Sequence, residues 1–479
     1  MTLASWFRSP SLRRGIALSS IVLATGGLVL HKASAHPGSM GSTGVVQALV
    51  AGTNSASFSG PGAHGLVSLS HSHVLRGTST PMFAEVRMIA DADEERGRAR
   101  APISLAVVLD TSGSMSGEKI EEAKRSVLRL LSEMRDDDQI ALVRYSDSAE
   151  IVQRLASVKE VRGSLSSRIR ELTANGGTNI PSGLSEGLEA LGRPDRERVR
   201  RVILVSDGLD STRAQAEELA RNAFRNGVTV SSLGIGVDFD ESYMGAVSQN
   251  GHGNFAFVKD GASLASFLTR ELVETASTTI ENAKVKLTLP SGVKFVSATG
   301  ADANVSGRDV ELSLGSLFAG DDRRVIVELA SDGSDSGRME IETNARWDRV
   351  GGKEVSVDAP RIGLLATADP SEVERGRDGT VMASATSVMA SRRQVEAAKA
   401  YADGDLSRAN LLVEQNEAAL GDAMRAAPAP AASALQAQLD SYRDTKKGFS
   451  TIRPTTAPGK AAAKAAAAKE MGNFSRKAW

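Results

Sequence analysis

The chain has no cysteine among its 479 residues. That absence excludes disulfide bonds, thiolate zinc sites, iron–sulfur clusters, thiol catalysis and lipid attachment to an N-terminal cysteine. Histidine is also scarce, with six residues in the whole chain, so there is little material for a histidine-based active site. The formal net charge of −1 creates no global field that would attract nucleic acid or an acidic membrane. We therefore expect no nucleic-acid partner.

The first 35 residues have the pattern of an export signal. Arg8, Arg13 and Arg14 precede an apolar stretch over residues 15–30, and Ala33-Ser34-Ala35 follows it. A basic start, a short apolar core and a small-x-small end are typical of a secretory signal, which is either cleaved or retained as an anchor. We expect the body of the protein to lie outside the cytoplasm. An exported chain of this size without cysteine indicates a bacterial periplasmic, cell-surface or membrane-anchored protein.

Residues 101–277 alternate apolar strands with amphipathic helices. The run over residues 103–109 is apolar except for Ser104, as in a strand buried on both faces, and residues 118–134 have the period of a helix. The same succession is repeated further along the segment. Strands separated by helices of ten or more residues predict a mostly parallel, doubly wound sheet with helices on both faces.

Oxygen-bearing side chains follow these strands where each strand ends. Asp110, Ser112 and Ser114 occupy alternate positions after the first strand, so a tight turn can direct three oxygens to one point. Thr178 follows two glycines at the start of a later helix, and Asp207 ends a second apolar strand. Ligands of open α/β sheets bind at this edge. Because the first loop contains no strong base, it is suited to a hard cation with oxygen ligands and not to activating a nucleophile.

These five positions, in their order, spacing and strand context, resemble the metal-ion-dependent adhesion site of the von Willebrand factor type A domain, over about residues 101–277. The resemblance implies that Ser112 and Ser114 are direct metal ligands. It implies that Thr178, Asp110 and Asp207 bind the ion directly or through water. The sixth position would be left for an acidic side chain of a protein partner. The few carboxylates favour Mg²⁺ or Mn²⁺ over Ca²⁺.

The remaining chain divides by composition and period. A Gly, Ser and Thr-rich segment predicts a flexible linker over 36–62, and period-two patterns predict strands over 65–90 and 278–366 that together form an antiparallel β-sandwich. The type A domain would be inserted in this sandwich or flanked by it. Residues 380–447 predict a helical region with a helical hairpin. Residues 448–479 predict a disordered basic tail, since from Lys446 onward eight Lys and Arg face Glu470 alone.

The resemblance and the export signal together predict a non-catalytic protein of the bacterial cell envelope. Its expected function is metal-dependent adhesion or scaffolding, in which a bound Mg²⁺, Mn²⁺ or Ca²⁺ holds an Asp or Glu of a protein partner. The N-terminus and the basic tail are the two places where it could associate with a membrane or the envelope. Two alternatives stay open: an accessory or assembly factor for an envelope complex or ATPase partner, and a metal-dependent hydrolase.

Overall fold

The structure is a computed structural model that describes residues 54–92, 101–192, 195, 197–207, 210–235, 241–258, 261–333 and 337–475. The export signal predicted over 1–35 and most of the predicted linker lie outside the described residues. Within the described part, no helix is both long and apolar enough to cross a membrane.

The described residues form three β-sheets and a set of helices. In chain order the strands are β1 (Ser55–Gly60), β2 (Ala63–Leu69), β3 (His73–Leu75), β4 (Thr80–Ala90), β5 (Ile103–Asp110), β6 (Gln139–Tyr145), β7 (Ala149–Ser157), β8 (Val199–Ser206), β9 (Thr229–Ile235), β10 (His252–Val258), β11 (Thr278–Thr288), β12 (Val293–Thr299), β13 (Asp302–Ser306), β14 (Asp309–Phe318), β15 (Asp322–Ser331), β16 (Arg338–Arg349) and β17 (Glu354–Thr367). The helices are α1 (Glu118–Glu133), α2 (Val158–Glu171), α3 (Ile180–Ala190), α4 (Arg213–Arg225), α5 (Glu241–Asn250), α6 (Gly261–Ala276), α7 (Pro370–Arg375), α8 (Gly379–Ala402), α9 (Leu406–Ala426), α10 (Ala429–Thr451) and α11 (Ala457–Ser475).

The central sheet has the strand order β10-β9-β8-β5-β6-β7. All its pairings are parallel except β6 with β7. Successive residues of β5 point to opposite faces, so Val107 packs with residues of α1 and α6, whereas Val108 packs with residues of α3, α4 and α5. Helices on both faces explain why every residue of β5 is buried. The predicted doubly wound fold is confirmed.

The strands before and after the central sheet build a β-sandwich. Its first sheet has the order β1-β2-β4-β15-β12, and its second sheet has the order β13-β14-β11-β16-β17-β3. One apolar core lies between the sheets and includes Trp347, whose indole N–H donates to the carbonyl of Pro61 at 3.0 Å. Strand β4 pairs with β15, so strands from before and after the central domain lie in one sheet of the sandwich. The chain therefore leaves the sandwich after β4 and returns to it at β11.

The predicted linker over 36–62 is shorter in the structure, because Ser55–Gly60 forms β1 and pairs with β2. Ala56 and Phe58 point into the sandwich core, with 6% and 3% exposure. Two alternating apolar residues are enough to place an edge strand when a neighbouring strand offers its backbone. The surrounding serines and glycines concealed that pattern in the sequence.

Four long helices follow the sandwich, and the first of them packs on its outer face. Ala385 and Val388 of α8 contact Phe83 and Ile326, which lie on the first sandwich sheet. Asp378 caps α8 by accepting the backbone N–H of Thr380 at 2.8 Å. The structure thus places helices in the predicted helical region 380–447.

The sequence predicts a disordered tail over 448–479, whereas the structure has helical residues in two parts of this range. Helix α10 continues to Thr451, and α11 spans Ala457–Ser475. Alanine has the highest helix propensity, and Ala463 and Ala467 pack with Tyr401 and Phe449. Composition indicated a solvated tail, whereas tertiary packing orders these alanines.

A partly buried carboxyl lies where the second sandwich sheet meets the central domain. Glu281 of β11 is directly opposite Asp348 of β16. Burial and, to a smaller extent, the like charge of Asp348 outweigh the opposing effect of Arg200 and Arg201, and together these raise the pKa of Glu281 from its usual 4.5 to about 7. Between pH 4.5 and 7 the folded protein therefore binds more protons than the unfolded chain, and stability falls as the pH rises through this window.

Glu281→Gln should remove this pH-dependent loss of stability, because the amide has no charge to desolvate. We expect the free energy of unfolding to rise by about 2 kcal/mol at pH 8 relative to the original chain, and to change little near pH 4.5. Chemical denaturation across this range measures the effect. Glu396→Gln, at an exposed position of α8, is the matched control. An equal effect of Glu281→Gln at pH 4.5 and pH 8 would contradict the assignment.

Candidate metal centre

Three loops of the central domain meet at the carboxyl edge of its sheet. The first follows β5, the second precedes α3, and the third follows β8, the neighbour of β5. Two backbone hydrogen bonds join the first two loops: Gly113 donates to the carbonyl of Gly176 at 2.9 Å, and Asn175 donates to the carbonyl of Thr111 at 2.8 Å. The backbone thereby fixes the positions from which the site side chains extend.

Asp110 is the last residue of β5, and its side chain has no exposure to solvent. One carboxylate oxygen accepts the backbone N–H of Ser112 at 2.8 Å, and the other accepts the hydroxyl of Ser206 at 2.7 Å. Burial raises the pKa of Asp110, these serine contacts lower it, and the charge of Asp207 raises it. The negative charge of Asp110 is thus poorly compensated, and a cation beside it would be stabilised.

Ser112, Ser114 and Asp207 form a continuous chain of oxygen atoms. The hydroxyl oxygens of the two serines lie 3.0 Å apart, and the Ser114 hydroxyl donates to Oδ1 of Asp207 at 2.7 Å. Asp207 is 1% exposed, whereas Ser114 is exposed. The exposed Ser114 thus lies between the buried Ser112 and the buried Asp207, so the oxygen chain meets solvent at Ser114.

The spacing of these oxygens fits a small divalent cation. Octahedral Mg²⁺ binds oxygen at about 2.05 Å, which places neighbouring ligand oxygens about 2.9 Å apart. The two separations in the chain, 3.0 and 2.7 Å, lie on either side of that value. Nowhere in the described part of the chain, these loops included, does a group of three or more His, Asp or Glu side chains form a metal site. The three loops are a candidate metal centre through the combination of two carboxylates with serine hydroxyls.

Thr178 lies in the second loop, two residues after Gly176 and directly before Asn179, which caps α3. Its side chain is partly buried. Among the described residues, we find no hydrogen bond from its hydroxyl to the other four predicted ligands. Thr178 thus lies on the loop that precedes α3, at the same edge of the sheet as the other four residues. Of the five, only Asp110, Ser112, Ser114 and Asp207 form one hydrogen-bonded group.

Two acidic residues outside the predicted set hold the Thr178 loop from either side. Asp147, in the turn between β6 and β7, accepts the backbone N–H of Gly177 at 3.0 Å. Asp210, in the loop after β8, accepts the backbone N–H of Ile180 at 2.7 Å. Nothing in the sequence distinguishes these residues from ordinary turn aspartates, because their partners are about 30 positions away.

Lys119 is a third residue that the sequence analysis missed. Its ammonium group donates to Oδ2 of Asp207 and, at 3.2 Å, to the carbonyl of Ser114. A signal was present: Lys119 is in the first turn of α1, where the helix dipole disfavours a cation. A lysine at such a position needs a nearby anion.

Comparison with known proteins identifies the domain that carries this centre. Residues 104–270 match the family model of the von Willebrand factor type A domain. This part of the chain is a von Willebrand factor type A domain. A solved von Willebrand factor type A structure from Catenulispora acidiphila is similar with a TM-score of 0.65 and 17% identity, covering 89% of this chain and 98% of that one. At this identity the likeness shows a shared fold.

Curated relatives match about half of the chain. An uncharacterized protein of Synechocystis is 26% identical over 261 residues, which cover 52% of this chain and 62% of the relative. Inter-alpha-trypsin inhibitor heavy chain H3 of Rattus norvegicus is 24% identical over 248 residues, covering 47% of this chain and 27% of the relative. The chain therefore spans less than two thirds of either relative.

Gly176→Ala tests how tightly the loops of the type A domain are fitted together. Gly176 has φ +78°, and an added Cβ would lie 2.5 Å from Oδ2 of Asp147. Gly227→Ala is the matched control, since Gly227 has φ +72° with open space around it. We expect the control to lose about 1 kcal/mol of stability from backbone strain alone and Gly176→Ala to lose roughly 3 kcal/mol in chemical denaturation. Equal losses would contradict the close packing of Asp147 on this loop.

Proposed function

We propose that this protein is a non-catalytic, divalent-metal-dependent binding protein, in which the type A domain captures an acidic residue of a protein partner. The observation that carries the proposal is the oxygen chain of Ser112, Ser114 and Asp207, spaced at 3.0 and 2.7 Å above the buried Asp110. Those four residues and Thr178 would hold Mg²⁺ or Mn²⁺.

The chemistry of the donors supports capture of a carboxylate. Three of the five proposed ligands are neutral hydroxyls, and Lys119 offsets the charge of Asp207, so the two carboxylates do not fully compensate a divalent cation. A bound cation would supply a strong, localised positive charge beside the exposed Ser114. An Asp or Glu of a partner is the protein group that completes such a coordination shell.

The contacts of the serines support binding in preference to catalysis. The hydroxyls of Ser112 and Ser114 contact each other, and that of Ser114 donates to Asp207. Among the described residues, neither hydroxyl contacts a histidine that could act as a general base. The relative named inter-alpha-trypsin inhibitor heavy chain is, by that name, one chain of an inhibitor assembly. Both points support a role in protein binding.

We place this binding function outside the cytoplasm, in the bacterial cell envelope. The support is the sequence of residues 1–35, with its basic start, apolar core and Ala33-Ser34-Ala35. An envelope protein that binds acidic side chains through a cation would serve in adhesion or scaffolding.

Partner capture from envelope extracts of the source cells tests the proposal. The full chain is the bait, and Ser112→Ala, Thr178→Ala and Asp207→Ala should each reduce capture at least tenfold while the circular dichroism spectrum is unchanged. A chelator should abolish capture by the original chain, and added Mg²⁺ or Mn²⁺ should restore it. Ser116→Ala, in the same loop and exposed, should capture normally.

Undiminished capture by all three folded variants would refute the proposal. Such a result, together with indifference to chelator, would place the partner on another surface, for example the sandwich or the C-terminal helices.

A further inference from the structure

The ammonium group of Lys119 contacts the carboxylate oxygen of Asp207 that Ser114 does not contact. Oδ1 of Asp207 accepts the Ser114 hydroxyl, and Oδ2 accepts the ammonium group of Lys119. The Asp207 side chain has no exposure, whereas that of Lys119 is 34% exposed. Both oxygens of Asp207 are thus occupied by donors of the chain itself, and the charged donor comes from the solvent side.

The position of Lys119 is unfavourable without this contact. Lys119 is the second residue of α1, near the positive end of the helix dipole. Its ammonium group is held there by two acceptors, Asp207 and the carbonyl of Ser114. Because Ser114 is itself a proposed ligand, Lys119 contacts two parts of the metal centre at once.

Lys119 changes the net charge of the metal centre. Asp110 and Asp207 contribute two negative charges and Lys119 one positive charge, so the metal-free centre has a net charge of −1. A divalent cation changes this to +1, and a carboxylate of a partner then brings the total to zero. Without Lys119, the cation alone would neutralise the two carboxylates, and a partner carboxylate would add an uncompensated charge.

We propose that Lys119 is a built-in counter-charge that lowers the affinity of the centre for the cation alone, so that cation and partner carboxylate bind cooperatively. The inference rests on the proposed function. Lys119 competes with the cation for Asp207, and repels it at short range, but adds to the positive charge that attracts the incoming carboxylate. Lys119 is a positioning residue and is not a metal ligand.

Titration calorimetry of the full chain with Mn²⁺ alone tests this directly. Lys119→Met keeps most of the side-chain stem and removes the charge, so Mn²⁺ affinity should rise on the order of tenfold. Lys119→Gln, which can still donate to Asp207, should shift affinity in the same direction. Lys119→Arg should stay near the original value, as should the control Lys124→Met, whose ammonium pairs with Glu121 on the same helix.

The melting temperature in chelator gives a second readout. Lys119→Met should lower it, since buried Asp207 loses its counter-charge, and Mn²⁺ should raise it by more than in the original chain. Unchanged or weaker Mn²⁺ binding by both neutral variants would overturn the inference while leaving the metal centre in place. If the original chain and the neutral variants all bind no Mn²⁺, the proposed function and this inference both fail.

Discussion

The buried carboxylate of Asp110 at the end of β5 is the constraint on which the rest of the centre depends. A carboxylate with no exposure must be stabilised by hydrogen bonds or by a positive charge. Ser206 and the backbone of Ser112 supply hydrogen bonds, at 2.7 and 2.8 Å, but no formal charge. Asp207, the next carboxylate along the sheet edge, has Lys119 as its counter-ion. Among the residues that the structure describes, none places a positive charge beside Asp110, and in the function that we propose a divalent cation would supply that charge.

The remaining architecture supports this edge of the sheet without contributing ligands. Strand β5 is buried on both faces, so the position of Asp110 is fixed by packing above and below the sheet. The strands before and after the type A domain form the sandwich. Because β4 pairs with β15, the segments that enter and leave the type A domain belong to the same sandwich. Helix α8 packs on the outer face of the sandwich, and α11 also contacts β10 and α5 of the central domain.

Much of the fold and the main elements of the centre could be predicted from the sequence. Apolar runs lie near the ends of β5 and β8, and Asp110, Ser112, Ser114 and Asp207 stand out because they come where these runs stop. Asp147 and Asp210 could not be found in this way, because each accepts a backbone N–H from another loop and aspartate is common in turns. Lys119 offered one signal, its place in the first turn of α1, but its acceptor Asp207 is 88 positions away.

The two segments that differ from expectation were misjudged for one physical reason. Composition predicted solvation for β1, which is rich in serine, and for α11, which is rich in alanine and lysine. Each is ordered by a few side chains, Phe58 in one case and Ala463 and Ala467 in the other, that meet apolar surface supplied by distant parts of the chain. Single-sequence patterns contain no information about such surfaces.

The most direct test of the central claim is anomalous diffraction at the manganese absorption edge, from crystals of the full chain grown with Mn²⁺. We predict one strong anomalous peak within coordination distance of the hydroxyl oxygens of Ser112 and Ser114. An absent peak, or a peak bound elsewhere while these hydroxyls stay hydrogen bonded to each other and to Asp207, would contradict the account.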